Sequence, residues 1–206
     1  MTKAIVFDLG GVLVDLDMDA CRRAFREDLG FARISEILDP CHQKGIFMEM
    51  EAGRISADEF RAAVLAESRP GAVPEDIDRC ISALLVRMDA YKVTLLERLA
   101  TRYDLYILSN NNPISMPLCN AMMAKAGLDW QRVFKEEFVS CYMKMLKPGQ
   151  EIFREAIRRT GFAPAEILFI DDSPRNVEAA AAAGMRSALY VQGEDLEELI
   201  ENHIEP

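Results

Sequence analysis

Little in this chain suggests a metal–thiolate or disulfide framework. Its five cysteines (Cys21, Cys41, Cys80, Cys119, Cys141) are odd in number and widely scattered, no CxxC pair occurs, and there are only two histidines. Zinc sites and disulfide-stapled scaffolds need closer, more regular spacing. The thiols are therefore read as free, and a reducing cytoplasm as the compartment that suits them. Basic residues are also scarce, with 24 Lys and Arg against 34 Asp and Glu and a formal net charge of −10. A surface of that sign repels nucleic acid and anionic membranes, so neither is expected as a partner. Long apolar runs are missing too. The N-terminal stretch Ala4-Ile-Val-Phe7 is broken by Asp8 and is too short for a signal-peptide core or a membrane span. No internal repeat is visible, and the only low-complexity stretch is the short alanine run at 179–183. The expectation is a soluble, cytoplasmic chain of 206 residues: one medium domain, or a core with a smaller insertion.

What is present is a set of short apolar runs typical of buried strands. They are Ala4–Phe7, Leu105–Leu108, Phe138-Val139 with flanks, Ile167–Ile170 and Ser187–Val191. Helical spacing separates the later ones. Val93, Leu96, Leu99 and Ala100 share a face; Pro148 to Gly161 frames a second helix; Ser173-Pro174 opens a third that Gly184 closes. Strands alternating with helices predict an α/β fold, a Rossmann-like doubly wound parallel sheet. Residues 17–89 differ. They show helix signals, including a Ser56–Glu59 capping box, and no convincing strand. A helical insertion after the first strand is expected, giving a core of 1–16 and 90–206 and an inserted cap of 17–89.

In an open parallel sheet, ligands bind beyond the carboxyl ends of the strands. The residues there are Asp8-Leu-Gly-Gly11, then Ser109-Asn-Asn-Asn-Pro113, Lys147-Pro148 and Asp171-Asp172-Ser173-Pro174-Arg175-Asn176. This set suits phosphoryl transfer. A carboxylate can attack phosphorus, but nucleophile and phosphate repel each other unless a hard divalent ion bridges them. Magnesium takes oxygen ligands, and Asp8, Asp172 and the Gly10 carbonyl can supply them. Lys147 and Ser109 would offset the remaining charge, Asn110 would offer backbone or amide donors, and helix starts near Asn110 and Pro148 would add partial positive charge.

Four segments in order, Phe7-Asp8-Leu-Gly-Gly-Val-Leu-Val-Asp15, Leu108-Ser109-Asn110, Lys147-Pro148 and Phe169-Ile-Asp171-Asp172, resemble the four motifs of haloacid-dehalogenase-like hydrolases. The resemblance covers nearly the whole chain. It implies a Rossmann-like core with a mobile helical cap and a magnesium-dependent phosphatase acting on a small phosphorylated metabolite, such as a sugar phosphate. By the same match Asp8 is the nucleophile, Ser109 and Lys147 bind the phosphoryl group, and Asp172 is a magnesium ligand. Asp171 is a second acidic residue near the ion.

One departure matters. The family usually carries a second aspartate two residues after the nucleophile, as the acid–base residue; here Gly10 stands there. Either Asp15, Asp17 or a cap residue would substitute, or the substrate's leaving group would need little help; the cap is expected to set specificity, with Glu49, Glu51 and Arg54 its candidates. Two rivals stay open: a phosphate-ligand binding or regulatory protein with weakened chemistry, and a 2-haloacid dehalogenase, for which the Asp171-Asp172 pair would be surplus. Lys144 is read as an exposed charge, His42 as an ordinary cap residue and Trp130 as core.

Overall fold

The computed structural model describes residues 1–38 and 44–204. Cys41 and His42 lie outside the described residues. The chain opens with β1 (Ala4–Phe7), every residue of which is buried, and a two-residue β2 (Asp15–Leu16). Five helices follow: α1 (Met18–Leu29), α2 (Ile34–Ile37), α3 (Gly45–Glu51), α4 (Ala57–Ala66) and α5 (Pro74–Ser82). Then come β3 (Leu85–Arg87), α6 (Ala90–Leu99), β4 (Asp104–Ser109), α7 (Ser115–Lys125), α8 (Trp130–Val133), β5 (Phe134–Val139) and α9 (Ser140–Met143). The chain continues through α10 (Gln150–Thr160), β6 (Ile167–Asp171), α11 (Pro174–Ala182), β7 (Arg186–Leu189) and α12 (Leu196–His203).

The main sheet has the order β5-β4-β1-β6-β7, and all its pairs are parallel. Because side chains alternate along a strand, the buried strands feed two separate clusters. Ile5, Phe7, Leu105, Ile107 and Ile170 pack with Leu96 of α6 and Met123 of α7. Val6, Tyr106, Leu108 and Phe169 pack with Phe153 of α10 and Ala180 of α11. Helices on both faces make the sheet doubly wound. From β1 the chain builds outward to β4 and β5, then returns to the other side for β6 and β7. The carboxyl end of β1 is therefore the switch point at which a crevice opens.

The helices α1 to α5 have their own apolar cluster, with Phe25, Phe31, Phe47, Met50, Phe60 and Ile77 at its centre. Cys21, Phe25 and Leu29 form the buried stripe of α1, Asp17 caps its start and Gly30 closes it in the left-handed region. Ser56 and Glu59 form the expected capping box of α4. Ile114 also belongs to this cluster, and Leu16 packs against both it and the sheet cluster, so the helical layer is tied to the sheet.

Three local expectations need correction. The segment 17–89 does contain a strand, β3, which pairs antiparallel with β2, and three residues are too few to show a period-two pattern. The helix expected from Pro148 begins at Gln150, with Gly149 as its N-cap. The helix after β4 starts at Ser115, not near Asn110, because Asn112 Oδ1 accepts hydrogen bonds from the Ile114 and Ser115 N–H groups and holds the preceding segment as a loop. Partial positive charge from helix starts therefore does not fall where it was expected. Trp130 packs against the sheet cluster, as read from the sequence. Among the described residues Cys21, Cys80, Cys119 and Cys141 are free and buried, and no helix is long and apolar enough to cross a membrane.

The α4 cap provides a control remote from the crevice. Ser56→Ala should lower unfolding free energy by about 1 kcal/mol, read from denaturant midpoints, while phosphate binding stays unchanged.

Candidate active site

The ends of β1 and β6 and the segment before α10 bring Asp8, Asp171 and Lys147 into one buried group, with the half-buried Asn110 beside it. Lys147, only 2% exposed, points its ammonium at Leu108 O (2.8 Å), Asp171 Oδ2 (2.6 Å) and Asp8 Oδ2 (3.0 Å). An ammonium has three protons, so all are used. Asp8 Oδ1 in turn accepts from Leu9 N–H at 2.7 Å. Asp171 is fully buried, and its Oδ1 accepts from Ser173 N–H (2.8 Å) and Asn176 Nδ2 (2.9 Å). Asn110 braces the lysine from the other side. Its amide donates to Lys147 O at 2.9 Å and its Oδ1 accepts from Lys147 N–H at 2.8 Å. That amide is spent on the Lys147 backbone, so a direct amide contact to substrate would have to break this pair.

Asp172 is the exposed member of the group, yet Asp8, Asp171 and Asp172 each have a carboxylate oxygen within 4.8 Å of the others. Gly11 makes this approach possible. It has φ +79°, and a Cβ built on it would sit 2.1 Å from Asp172 Oδ2. Gly10 is different: it is outside the left-handed region, and a Cβ there meets only the flexible end of Leu16, at 3.0 Å. The loop carrying both glycines is held by Leu13 and Val14 N–H donating to Leu9 O and by the buried Lys92, whose Nζ donates to Val12 O at 2.7 Å. Nothing in the sequence singled out Lys92, since a lysine on a helix normally faces solvent.

Three carboxylates face one ammonium, so full ionisation leaves two negative charges in excess in a mostly buried place. The titration shifts record the strain. Burial pushes Asp8 up to about 8, with Lys147 opposing and the fields of Asp171 and Asp172 adding to the rise. Asp172 is pushed up to about 6 by lost hydration and then by Asp171. Burial alone would lower the Lys147 value, but Asp171 and Asp8 outweigh it and hold the ammonium charged. An excess of two charges over clustered hard oxygens fits a divalent cation such as Mg²⁺.

Above this floor lies a cavity of about 130 Å³. Asp8, Gly10, Ser109, Lys147 and Asp172 line it from the sheet, and Met18, Phe47 and Glu51 from the helical layer. Ser109 ends β4 and is 2% exposed. Asn111, Asn112, Ser115 and Cys119 extend the wall. Ser115 Oγ, Ser173 Oγ and Asn176 Oδ1 are buried without a hydrogen-bond partner, and their residues all line the cavity. Sequence reading placed Asn111 and Asn112 beyond a strand end without a role and missed Ser115 and Cys119, because these residue types are ordinary loop and helix-start chemistry. Glu51, named only as one of three candidates, is buried, and burial pushes it up to about 8, with the Asp8 charge raising it further and Lys147 opposing.

Other candidates fall outside the cavity. Asp15 is paired with Lys92 and Arg87, each at 3.4 Å, and Asp17 caps α1. Glu49 and Arg54 pair with each other on the surface at 2.6 Å. Lys144 is exposed, in the left-handed region at φ 55°.

A doubly wound sheet with this carboxylate–lysine group at its switch point defines a class, and comparison with known proteins gives it a name. A family model described as haloacid dehalogenase-like hydrolase matches residues 2–184. The chain belongs to that family. It is 33% identical over 196 residues to the D-ribitol-5-phosphate phosphatase of Bacteroides thetaiotaomicron, covering 95% of each chain. A HAD family enzyme from the same organism, a variant solved with magnesium and inorganic phosphate, superposes with a TM-score of 0.91 at 32% identity, covering 97% of this chain and 99% of that one. The L-2-haloacid dehalogenase of Xanthobacter autotrophicus shares the fold at a TM-score of 0.63 and 23% identity, covering 100% of this chain and 85% of that one.

Two predictions follow from the charge balance and the glycines. The folded chain keeps protons on Asp8 and Glu51 up to about 8, against ordinary values of 3.8 and 4.5. Between those limits the folded state binds more protons than the unfolded state, so stability without metal falls as pH rises. In chelator the thermal midpoint should be lower near about pH 8 than near about pH 5, and Mg²⁺ should raise it more at the higher pH. A metal-free midpoint that climbs over this range would contradict the charge argument. Gly11→Ala should cost at least about 1 kcal/mol and weaken Mg²⁺ binding in titration calorimetry; Gly10→Ala should do less of both.

Proposed function

We propose that the chain is a magnesium-dependent phosphate monoester hydrolase acting on a small phosphorylated metabolite of the sugar or polyol phosphate class. The observation that carries this reading is the buried Asp8–Lys147–Asp171 group with Asp172 beside it. Asp8 is the nucleophile: Lys147 and the Leu9 N–H hold its carboxylate at the strand end. Its attack on phosphorus forms an aspartyl phosphate, and water then releases phosphate. Lys147 fixes Asp8 and supplies positive charge to the transferring group, while Ser109 donates to a phosphoryl oxygen. Asp8, Asp172 and the Gly10 carbonyl would hold Mg²⁺, with Asp171 behind them. When bound, the ion supplies the positive charge that lets an anionic nucleophile approach an anionic ester.

The helical layer, residues 17–89, serves as the cap that closes over the substrate and excludes water. The substrate class is supported by the unpartnered Ser115, Ser173 and Asn176 groups, since buried polar atoms seek partners and a polyhydroxyl leaving group supplies them. The activity named for the Bacteroides relative agrees. The leaving group is small because Phe47, Leu84 and Leu85 close the cavity on the helical side.

A panel of pentitol, pentose and hexose phosphates tests the reading. Hydrolysis should require Mg²⁺ and stop on chelation. Asp8→Asn should keep the fold and lose turnover by at least about 10³-fold, because an amide is a poor nucleophile. Full activity in excess chelator, or undiminished turnover by Asp8→Asn, would overturn it.

A further inference from the structure

The hydrolase reading leaves one chemical role vacant. A simple alkoxide is a poor leaving group, so its oxygen needs a proton as the P–O bond breaks. Gly10 has no side chain to give one. Among the described residues, the carboxyls within reach of the crevice can be sorted by what already holds them. Asp8 attacks. Asp171 has all of its contacts inside the loop and with Lys147. Asp172 sits in the carboxylate cluster. Asp15, Asp17 and Glu49 are bound to other partners away from the cavity. Glu51 remains, and it is the one carboxyl contributed to the cavity wall by the helical layer.

Its placement is built rather than incidental. Glu51 is the last residue of α3. Ser140, fully buried at the end of β5, donates its hydroxyl to Glu51 O at 2.6 Å and accepts from Asn111 N–H at 3.0 Å. One side chain thus fixes the end of α3 against the loop that carries Asn110 and Asn111. Two residues on, Gly53 has φ +65°, and a Cβ there would lie 2.1 Å from Cys141 O, so the backbones of the two layers touch. While its backbone is locked, the Glu51 carboxyl has no hydrogen bond from any described residue. Glu51 lines the same cavity as Asp8 and Lys147, from the helical layer.

We propose that Glu51, carried on α3 and seated by Ser140, is the acid–base residue of the hydrolysis. This rests on the hydrolase reading and supplies its missing group. In the first step Asp8 bonds to phosphorus, the ester P–O bond breaks with its electron pair going to oxygen, and the Glu51 carboxyl gives that oxygen a proton. In the second step water attacks the aspartyl phosphate, the Glu51 carboxylate takes the water's proton, and the pair of the broken P–O bond returns to Asp8. The sum is ester plus water to alcohol plus phosphate, with both side chains restored.

The test compares wild type with Glu51→Gln on an alkyl phosphate, such as a pentitol phosphate, and on an aryl phosphate whose leaving group departs unprotonated. Single-turnover phosphoryl transfer should fall by about 10²–10⁴-fold on the alkyl ester and by less than about 10-fold on the aryl ester. The aspartyl phosphate should accumulate in the variant on the aryl ester, because its second step loses the base. Equal losses on the two esters, or none, would overturn the assignment. A thermal melt and inorganic phosphate binding in Mg²⁺ show whether the variant is folded. If it is not, the wild type alone decides: kcat/KM should depend weakly on leaving-group acidity across a series of esters, and a steep dependence would mean that no acid assists. A wild type inactive on both ester classes with Mg²⁺ would sink the hydrolase reading and this assignment with it. An active wild type with an indifferent Glu51→Gln would sink the assignment alone.

Discussion

The buried ammonium of Lys147 is the constraint on which the rest depends. A charge with so little exposure is tolerated only if it is paired and fully hydrogen-bonded, and removing one partner from such a group typically costs about 3–5 kcal/mol. Asp8, Asp171 and Leu108 O meet that demand from the ends of three adjacent strands, and Asn110 pins the lysine backbone from the loop after β4. Four segments far apart in sequence are thus registered against one nitrogen. The same pairing leaves carboxylates in surplus. The electrostatics that locks the floor of the crevice also gives it a charge excess suited to a divalent cation.

Besides Ile114, which packs into the helical cluster, the two layers are tied beside the crevice. Leu16 and the β2–β3 ribbon join them at one end, and Ser140 with the Gly53–Cys141 approach joins them at the other. The cavity lies between these two ties. Its sheet side is charged, and its helical side is apolar at Met18 and Phe47 apart from Glu51. Glu51 apart, the charged groups of the cavity thus sit on the sheet side, and its apolar surface comes mainly from the helical layer.

Glycine at positions 10 and 11 serves two separate needs. Gly11 allows backbone geometry and the close approach of a carboxylate, neither of which a side chain tolerates. Gly10 is not conformationally demanded, and the space a side chain would enter is occupied by Leu16. A side chain at position 10 would have to displace the end of Leu16, whereas one at position 11 would collide with Asp172.

Strand runs, helix caps and the four motif segments were legible in the sequence because each is local. Apolar runs mark buried strands, Ser56 and Glu59 lie one turn apart, and Asp8, Ser109, Lys147 and Asp171-Asp172 each follow directly on a strand or precede a turn. The doubly wound sheet then follows from alternation, and the crevice from the strand ends. Tertiary structure alone decided what depends on distance across the chain. It paired Lys92 with Val12 and Asp15, spent the Asn110 amide on Lys147, and sent Glu49 to the surface and Glu51 into the cavity although they lie two residues apart on one helix. Periodicity gives a residue's face on its own element. Which neighbour that face meets, and therefore whether a carboxyl is solvated, paired or held buried beside a charge, is fixed only when the layers pack.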